Sequence, residues 1–148
     1  MKNLRRYLQS QVVSDALANR RIAFINGPRQ VGKTTMAESL LAELDQKKNY
    51  LTWDDEEFRK IWIRGPKDFL NTLEKNSVIV FDEIHKDRKW KSKLKGLYDL
   101  FKNDFRFIVT GSARLDFYRK SGDSIQGRYI PYRMHTFSVG EGPLVKPP

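Results

Sequence analysis

The fold is decided by residues 22–35, which read IAFINGPRQVGKTT. Residues 22–26 form an apolar, β-rich run, and a helical pattern begins at Lys33. Between them lies a full match to G-x-x-x-x-G-K-[ST], the pattern of a loop whose backbone N–H groups surround phosphate oxygens. The pattern predicts nine phosphate-binding residues: Gly27, Pro28, Arg29, Gln30, Val31, Gly32, Lys33, Thr34 and Thr35.

The start of the helix at Lys33 strengthens this anion site, because the first backbone N–H groups of a helix carry partial positive charge. We expect Lys33 to reach the β- and γ-phosphates of a nucleotide and to support catalysis there. The hydroxyl of Thr34 is the expected ligand of Mg²⁺. Arg29 either covers the nucleotide or faces solvent, and solvent is the simpler interpretation.

Apolar β-rich runs alternate with helical patterns along the whole chain, which is typical of a parallel sheet with crossover helices. The predicted strands are 22–26, 49–53, 78–82, 106–110 and 128–133. The predicted helices are 14–19, 33–44, 56–63, 67–74, 91–102 and 115–120. The pattern predicts an α/β fold, a three-layer α/β/α sandwich around a mainly parallel five-stranded sheet.

Three regions follow from this organisation. Residues 1–20 are predicted to form an N-terminal helical segment, and residues 21–139 the P-loop core. Residues 140–148 are predicted to be a tail or the start of a linker, because their Gly and Pro residues interrupt both periodic patterns.

A second motif is the continuously apolar run 78–81 with two acids after it, Asp82 and Glu83. A buried strand that ends in an acid is where P-loop proteins hold magnesium, so Asp82 is the expected metal residue. Glu83 is then placed to orient and deprotonate an attacking water. Two surface acids at a strand end are the alternative, but that alternative does not explain their spacing from the P-loop.

A third motif is the segment 107–114, which reads FIVTGSAR. Thr110 and Ser112 are both candidates to touch the γ-phosphate or the attacking water, and Thr110 is preferred. The alternative is an ordinary strand-to-helix turn in which Ser112 caps the next helix. Arg128 and Arg114 are candidates to neutralise charge on the γ-phosphate, or else they are surface or salt-bridge arginines.

Composition indicates one soluble, globular domain. The chain has 148 residues, of which 39% are hydrophobic and 31% charged, and no apolar run approaches the length of a membrane span. The first residues lack the apolar stretch of a secretory signal. Cysteine is absent, which excludes disulfides and thiolate metal sites and fits a cytoplasmic location.

The formal net charge of +10 is concentrated in one part of the chain. Residues 84–135 hold thirteen Lys or Arg against five Asp or Glu. The segment from Lys86 to Lys95 is therefore either a surface for nucleic acid or an acidic protein, or simply a solvated face. Trp90 lies among these lysines and is the one tryptophan that we consider for base stacking.

Two other groups of polar residues have simpler interpretations. The acids at 54–57 are expected to cap and start the helix that follows them. His85 and His135 are isolated in sequence and have no metal-ligand spacing.

Taken together, the motifs resemble those of AAA-type ATPases in the class with an additional strand and a catalytic Glu. More narrowly, the chain resembles a family of bacterial and archaeal ATPases with GPRQVGKTT, DEIHK, ITGS-like and GRY…Y…FS segments. The matching residues here are 27–35, 82–86, 109–112 and 127–138. The resemblance implies that the nucleotide is ATP, bound with Mg²⁺. It also implies that a C-terminal domain normally follows the FS segment.

Two functions remain open at this stage. The first is an ATP hydrolase that couples turnover to conformational change, with assembly into an oligomer as a further expectation. The second is a nucleotide-dependent switch that binds nucleic acid or protein with little turnover; such a protein would not need Glu83. A small-molecule kinase is disfavoured because no arginine-rich lid is evident. A GTPase is disfavoured because the sequence contains no N-K-x-D motif.

Overall fold

The computed structural model describes residues 12–27, 32–112 and 127–134 of the chain. Its centre is a five-stranded sheet with the order β2-β3-β4-β1-β5, in which all neighbouring strands are parallel. The strands are β1 (Ile22–Gly27), β2 (Tyr50–Thr52), β3 (Ser77–Asp82), β4 (Phe105–Ser112) and β5 (Tyr129–Arg133). The predicted α/β fold and its five-stranded parallel sheet are confirmed.

Four α-helices connect or cover these strands. They are α1 (Lys33–Glu43), α2 (Glu56–Arg64), α3 (Lys67–Asn71) and α4 (Trp90–Phe101). A π-helical turn (Val12–Leu17) and two 3₁₀ turns (Lys47–Asn49 and Ile84–Lys86) complete the described elements. The helix predicted at 115–120 lies outside the described residues, and α3 is shorter than the predicted 67–74.

Two hydrophobic cores lie on opposite faces of the sheet, because successive strand residues point to opposite sides. Along β1, Ala23 and Ile25 belong to one core, which also contains the apolar face of α1. Phe24 belongs to the other core, which contains Trp62 of α2 and the apolar face of α4. The sheet is thus covered on both faces, as expected of parallel strands with apolar sequences.

The segment between β3 and α4 is fixed by Asp87. Its carboxylate accepts hydrogen bonds from the indole Nε1 of Trp62 at 2.8 Å and from the backbone N–H of Lys89 at 3.1 Å. Lys93 also forms an ion pair with it at 3.0 Å. Burial raises the pKa of Asp87, but these donors and the charge of Lys93 outweigh that effect, and the net pKa is lowered.

The acidic start of α2 agrees with its predicted role. Asp55 is the N-cap residue, and its side chain accepts a hydrogen bond from the backbone N–H of Glu57 at 3.0 Å. Within the described ranges, no helix is long and apolar enough to cross a membrane.

Candidate active site

The site is built where β1, β3 and β4 end, because parallel strands present their carboxyl ends at one edge of the sheet. In the register of the sheet, Asp82 of β3 lies beside Thr110 of β4. Gly27 of β1 lies beside Ser112 of β4. The end of β1 and the start of α1, which carries Lys33, are thereby held next to the acidic end of β3.

Gly32 makes the turn into α1 with φ 91° and ψ 19°, a left-handed conformation that favours glycine. Lys33 follows as the first residue of the helix. Its side chain is only 7% exposed, and Nζ donates a hydrogen bond to the carbonyl oxygen of Gly27 at 2.8 Å. Of the predicted loop residues, Pro28, Arg29, Gln30 and Val31 lie outside the described residues.

Lys33 shares this edge of the sheet with both acids. Burial lowers the pKa of the Lys33 ammonium, and the negative charges of Glu83 and Asp82 act in the opposite direction. The structure therefore brings together three residues that the sequence analysis selected from two separate motifs. A cation held in a partly desolvated position beside a helix N-terminus is well placed to receive an anion.

Asp82 is 6% exposed and accepts hydrogen bonds from three hydroxyl groups. Thr110 Oγ1 donates to Oδ1 at 2.7 Å. The phenol of Tyr50 and the hydroxyl of Thr52 donate to Oδ2 at 2.6 and 3.1 Å. Thr110 is fully buried, so the hydroxyl that was predicted to sense the γ-phosphate is directed at the carboxylate of Asp82.

Tyr50 was not selected from the sequence, yet it contacts two selected residues. Burial raises the pKa of its phenol, the hydrogen bond to Asp82 raises it further, and a hydrogen bond with Thr34 partly opposes the shift. Tyr50 thus links the expected metal residues Thr34 and Asp82. Thr34 itself is exposed near the start of α1, where its side chain is accessible to a ligand, and Thr35 beside it is also exposed.

Glu83 leaves the sheet in a left-handed conformation, with φ 62° and ψ 25°. Its backbone N–H donates to the carbonyl oxygen of Thr110 at 2.8 Å, which extends the pairing of β3 with β4 by one residue. Its side chain is 15% exposed, and Oε2 lies 3.3 Å from Nε2 of His85. His85, which the sequence analysis set aside as isolated, is therefore part of this site.

Arg128 requires a correction. Its carbonyl oxygen accepts a hydrogen bond from the backbone N–H of Ile22, so it lies at the amino end of β1. Lys33 follows the other end of β1, about 16 Å away along the strand. The guanidinium of Arg128 instead pairs with Asp99 at 2.8 Å. The structure does not place Arg128 at the nucleotide site of its own chain.

The other predicted sensors fall outside what is described. Arg114 is not among the described residues, and of Ser112 only the backbone, at the end of β4, is described.

The basic segment is also revised by the structure. Trp90 is only 7% exposed, and its ring packs edge-on against Phe24 at a centroid distance of 5.7 Å. It is a core residue, so the prediction of a base-stacking surface at Trp90 is wrong. Lys86 forms an ion pair with Asp54 at 3.7 Å, whereas Arg88 and Lys89 are exposed.

The described oxygen ligands fit Mg²⁺ better than a softer metal. Mg²⁺ is usually held by one or two carboxylates together with water and substrate phosphates. Within the described ranges, no group of three or more His, Cys, Asp or Glu residues is arranged to hold a metal ion by itself. A single carboxylate at Asp82 and a hydroxyl at Thr34 match the sparse protein ligation that is typical of Mg²⁺.

Comparison with known proteins agrees with this fold and this loop. A sequence model of the AAA domain family matches residues 19–142, most of the chain. The chain belongs to the AAA domain family. The AAA-type P-loop ATPases that the motifs resemble are thus its relatives, and nucleotide binding is the general property that this membership supports.

Among solved structures, this AAA domain is similar to PCH-2 from C. elegans, with a TM-score of 0.61 and 16% sequence identity. The match covers 89% of this chain and 44% of the PCH-2 chain, so this AAA domain spans less than half of that protein. At this identity the likeness shows the fold alone. No curated protein matches the chain in sequence.

The position of Lys33 generates a prediction about nucleotide binding by this AAA domain. Lys33→Ala removes the cation at the start of α1 and is expected to abolish ATP binding, because the phosphates lose their main charge partner. The exposed Lys47 provides the matched control, and Lys47→Ala should bind ATP as the unmodified chain does. Calorimetry on variants with native circular dichroism measures both. Wild-type affinity in Lys33→Ala would exclude the loop as the site.

Proposed function

We propose that this AAA domain binds ATP with Mg²⁺ and hydrolyses it to ADP and phosphate, coupled to a conformational change on a target. The observation that supports this proposal is the convergence of Lys33, Asp82 and Glu83 at one edge of the sheet. A chain that only bound nucleotide would need the lysine. It would not need a second carboxylate beside the first.

The binding part of the proposal assigns phosphate contacts to the loop 27–35. The backbone N–H groups there and the ammonium of Lys33 balance the negative charge of the β- and γ-phosphates. Thr34 and Asp82 hold Mg²⁺, which supplies further positive charge at the phosphate oxygens. Tyr50 fixes one oxygen of the Asp82 carboxylate.

The catalytic part of the proposal separates the roles of the two acids. Both oxygens of Asp82 accept hydrogen bonds from hydroxyl groups, which suits a carboxylate that holds its place beside a metal. Glu83 is the next residue, but its left-handed backbone turns it off the strand. Its carboxylate orients the attacking water and accepts its proton as the water attacks the γ-phosphorus. Thr110 is proposed to act at the γ-phosphate or water only through Asp82.

A nucleotide-dependent binding switch is the second candidate, and the exposed basic residues Arg88 and Lys89 favour it. They lie in the segment that directly follows Glu83 and its 3₁₀ turn. A change at the nucleotide site therefore has a short path to them. With Trp90 buried in the core, the partner would be recognised by charge, as a phosphate backbone or an acidic protein surface.

The proposed base predicts a loss of hydrolysis without a loss of binding. Glu83→Gln keeps the shape and hydrogen-bonding capacity of the side chain but removes the group that accepts the proton. We expect hydrolysis to fall by about 10²–10⁴-fold, which is the usual contribution of a positioned base. Phosphate release under saturating ATP measures the rate, and calorimetry measures retained binding of ATP with Mg²⁺.

Glu74 provides the control for this substitution because it is an exposed glutamate away from the end of β3. Glu74→Gln should hydrolyse ATP at the wild-type rate. If Glu83→Gln does so as well, Glu83 is not the base. Absence of turnover in the unmodified chain, with tight ATP binding, would favour the switch.

The contact between Tyr50 and Asp82 predicts a specific effect on magnesium. Tyr50→Phe removes the 2.6 Å hydrogen bond but keeps the ring, so Asp82 loses one of its three donors. We expect the Mg²⁺ concentration at half-maximal nucleotide binding to rise by about tenfold, as when an outer-shell partner of a metal ligand is lost. Asp82→Asn should have a larger effect in the same direction.

Titration of Mg²⁺ against a fluorescent ATP analogue measures this dependence without relying on turnover. Tyr98→Phe is the matched control, because its hydroxyl bonds the carbonyl oxygen of Arg20 at the opposite edge of the sheet. An unchanged Mg²⁺ requirement in Tyr50→Phe would mean that Tyr50 has no part in the metal site.

The basic segment 86–95 predicts a salt-dependent interaction if the switch is correct. Affinity for single- or double-stranded DNA or for RNA should fall steeply as salt is raised, because bound phosphates release counterions. Arg88→Glu should weaken binding and reduce the salt slope, whereas Lys48→Glu, at an exposed lysine in the turn before β2, should not. Fluorescence anisotropy measures both. Binding that is absent at low salt would identify the segment as a solvated face.

A further inference from the structure

His85 is a partly buried histidine to which the proposed function gives no role. Its side chain is 20% exposed, and its Nε2 lies 3.3 Å from Oε2 of Glu83. It belongs to the 3₁₀ turn Ile84–Lys86, directly after the proposed base. The question is whether this contact is incidental or determines where the Glu83 carboxylate lies.

The backbone of Glu83 is held on both sides, but its side chain is not held by the backbone. On one side, its N–H donates to the carbonyl oxygen of Thr110. On the other side, Ile84 is fully buried in the core, and the carbonyl oxygen of Glu83 accepts from the N–H of Lys86 at 3.3 Å. What remains free is the set of side-chain torsions, and restricting them in a glutamate costs up to about 2 kcal/mol. A neighbouring donor is needed to favour one position.

The surroundings of His85 indicate which ring nitrogen carries its proton. Among the described residues, Nδ1 of His85 is buried without a hydrogen-bond partner. A buried N–H without a partner is rarer than a buried acceptor without one, so the arrangement favours a neutral ring with its proton on Nε2. Burial also lowers the pKa of His85, although the charge of Glu83 opposes that shift. An Nε2–H group is the donor that the carboxylate of Glu83 requires.

Lys33 is the other cation that acts on this carboxylate, since Glu83 raises the pKa of Lys33 against the effect of burial. In the proposed function, however, the ammonium of Lys33 turns to the phosphates of ATP. His85 would then remain as the donor that does not also bind the nucleotide.

We propose that His85 is a positioning residue for Glu83: its Nε2–H donates to Oε2 and leaves Oε1 to accept the proton of the attacking water. The imidazole does not touch the nucleotide or the water, and it transfers no proton. This inference rests on the proposed function, because it presupposes that Glu83 is the base.

The test is a double-mutant cycle between His85 and Glu83, measured in the full chain. His85→Ala should lower kcat by about tenfold or more, as loss of an outer-shell partner does, while KM and ATP affinity stay within about twofold. His85→Gln retains an N–H donor and should restore most of the rate. In the Glu83→Gln background, His85→Ala should produce no further loss.

Each outcome of the cycle decides between the inference and its alternatives. An unchanged kcat in His85→Ala, beside an impaired Glu83→Gln, would overturn the positioning role alone. An equal loss in both backgrounds would overturn it too, because His85 would then act independently of Glu83. Wild-type hydrolysis by Glu83→Gln would instead refute the proposed function itself.

A spectroscopic measurement tests the contact even if His85→Ala does not fold. The chain has only two histidines, so His135→Gln assigns the ¹⁵N resonances of His85. At neutral pH we expect a neutral ring with its proton on Nε2, and we expect the Nε2 resonance to move in Glu83→Gln. A ring protonated on Nδ1 alone would contradict the proposal.

Discussion

Asp82 ends a strand in which all six residues are buried, and a buried carboxylate is stable only if its oxygens are hydrogen bonded. The donors come from both neighbouring strands. Tyr50 and Thr52 belong to β2, and Thr110 belongs to β4. The strand order β2-β3-β4 and the ligation of this carboxylate therefore depend on each other: moving either neighbour by one residue would leave a buried charge without its partners.

The same constraint gives the two acids different environments although they are adjacent in sequence. Asp82 is held by the regular geometry of the sheet, whereas Glu83 departs from it in a left-handed conformation, which disfavours residues other than glycine by about 1 kcal/mol or more. The buried Ile84 and the hydrogen bond to Thr110 maintain that conformation. Backbone strain of this kind, kept in place by its surroundings, is typical of functional positions.

Much of this arrangement could be predicted, because its main parts are local in sequence. The loop with Lys33 and the pair Asp82–Glu83 each follow an apolar strand, and parallel strands bring them to one edge. Tyr50 and Thr52 were missed because their contact with Asp82 depends on strand order, and His85 was missed because its contact depends on the turn after Glu83. Arg128 was misplaced although the information was present: it precedes a parallel strand, so it belongs to the amino edge.

The segment after Glu83 connects the candidate site to the surface. Asp87 binds it to Trp62 of α2 and to Lys93 of α4, while Ile84 anchors it in the core. A segment held at these points cannot move by itself when the carboxylate of Glu83 changes position. A shift there would be transmitted to α4 and to the exposed Arg88 and Lys89, because packed elements move as units rather than deform continuously. The physical link between nucleotide state and a charged partner is therefore this short, tethered turn.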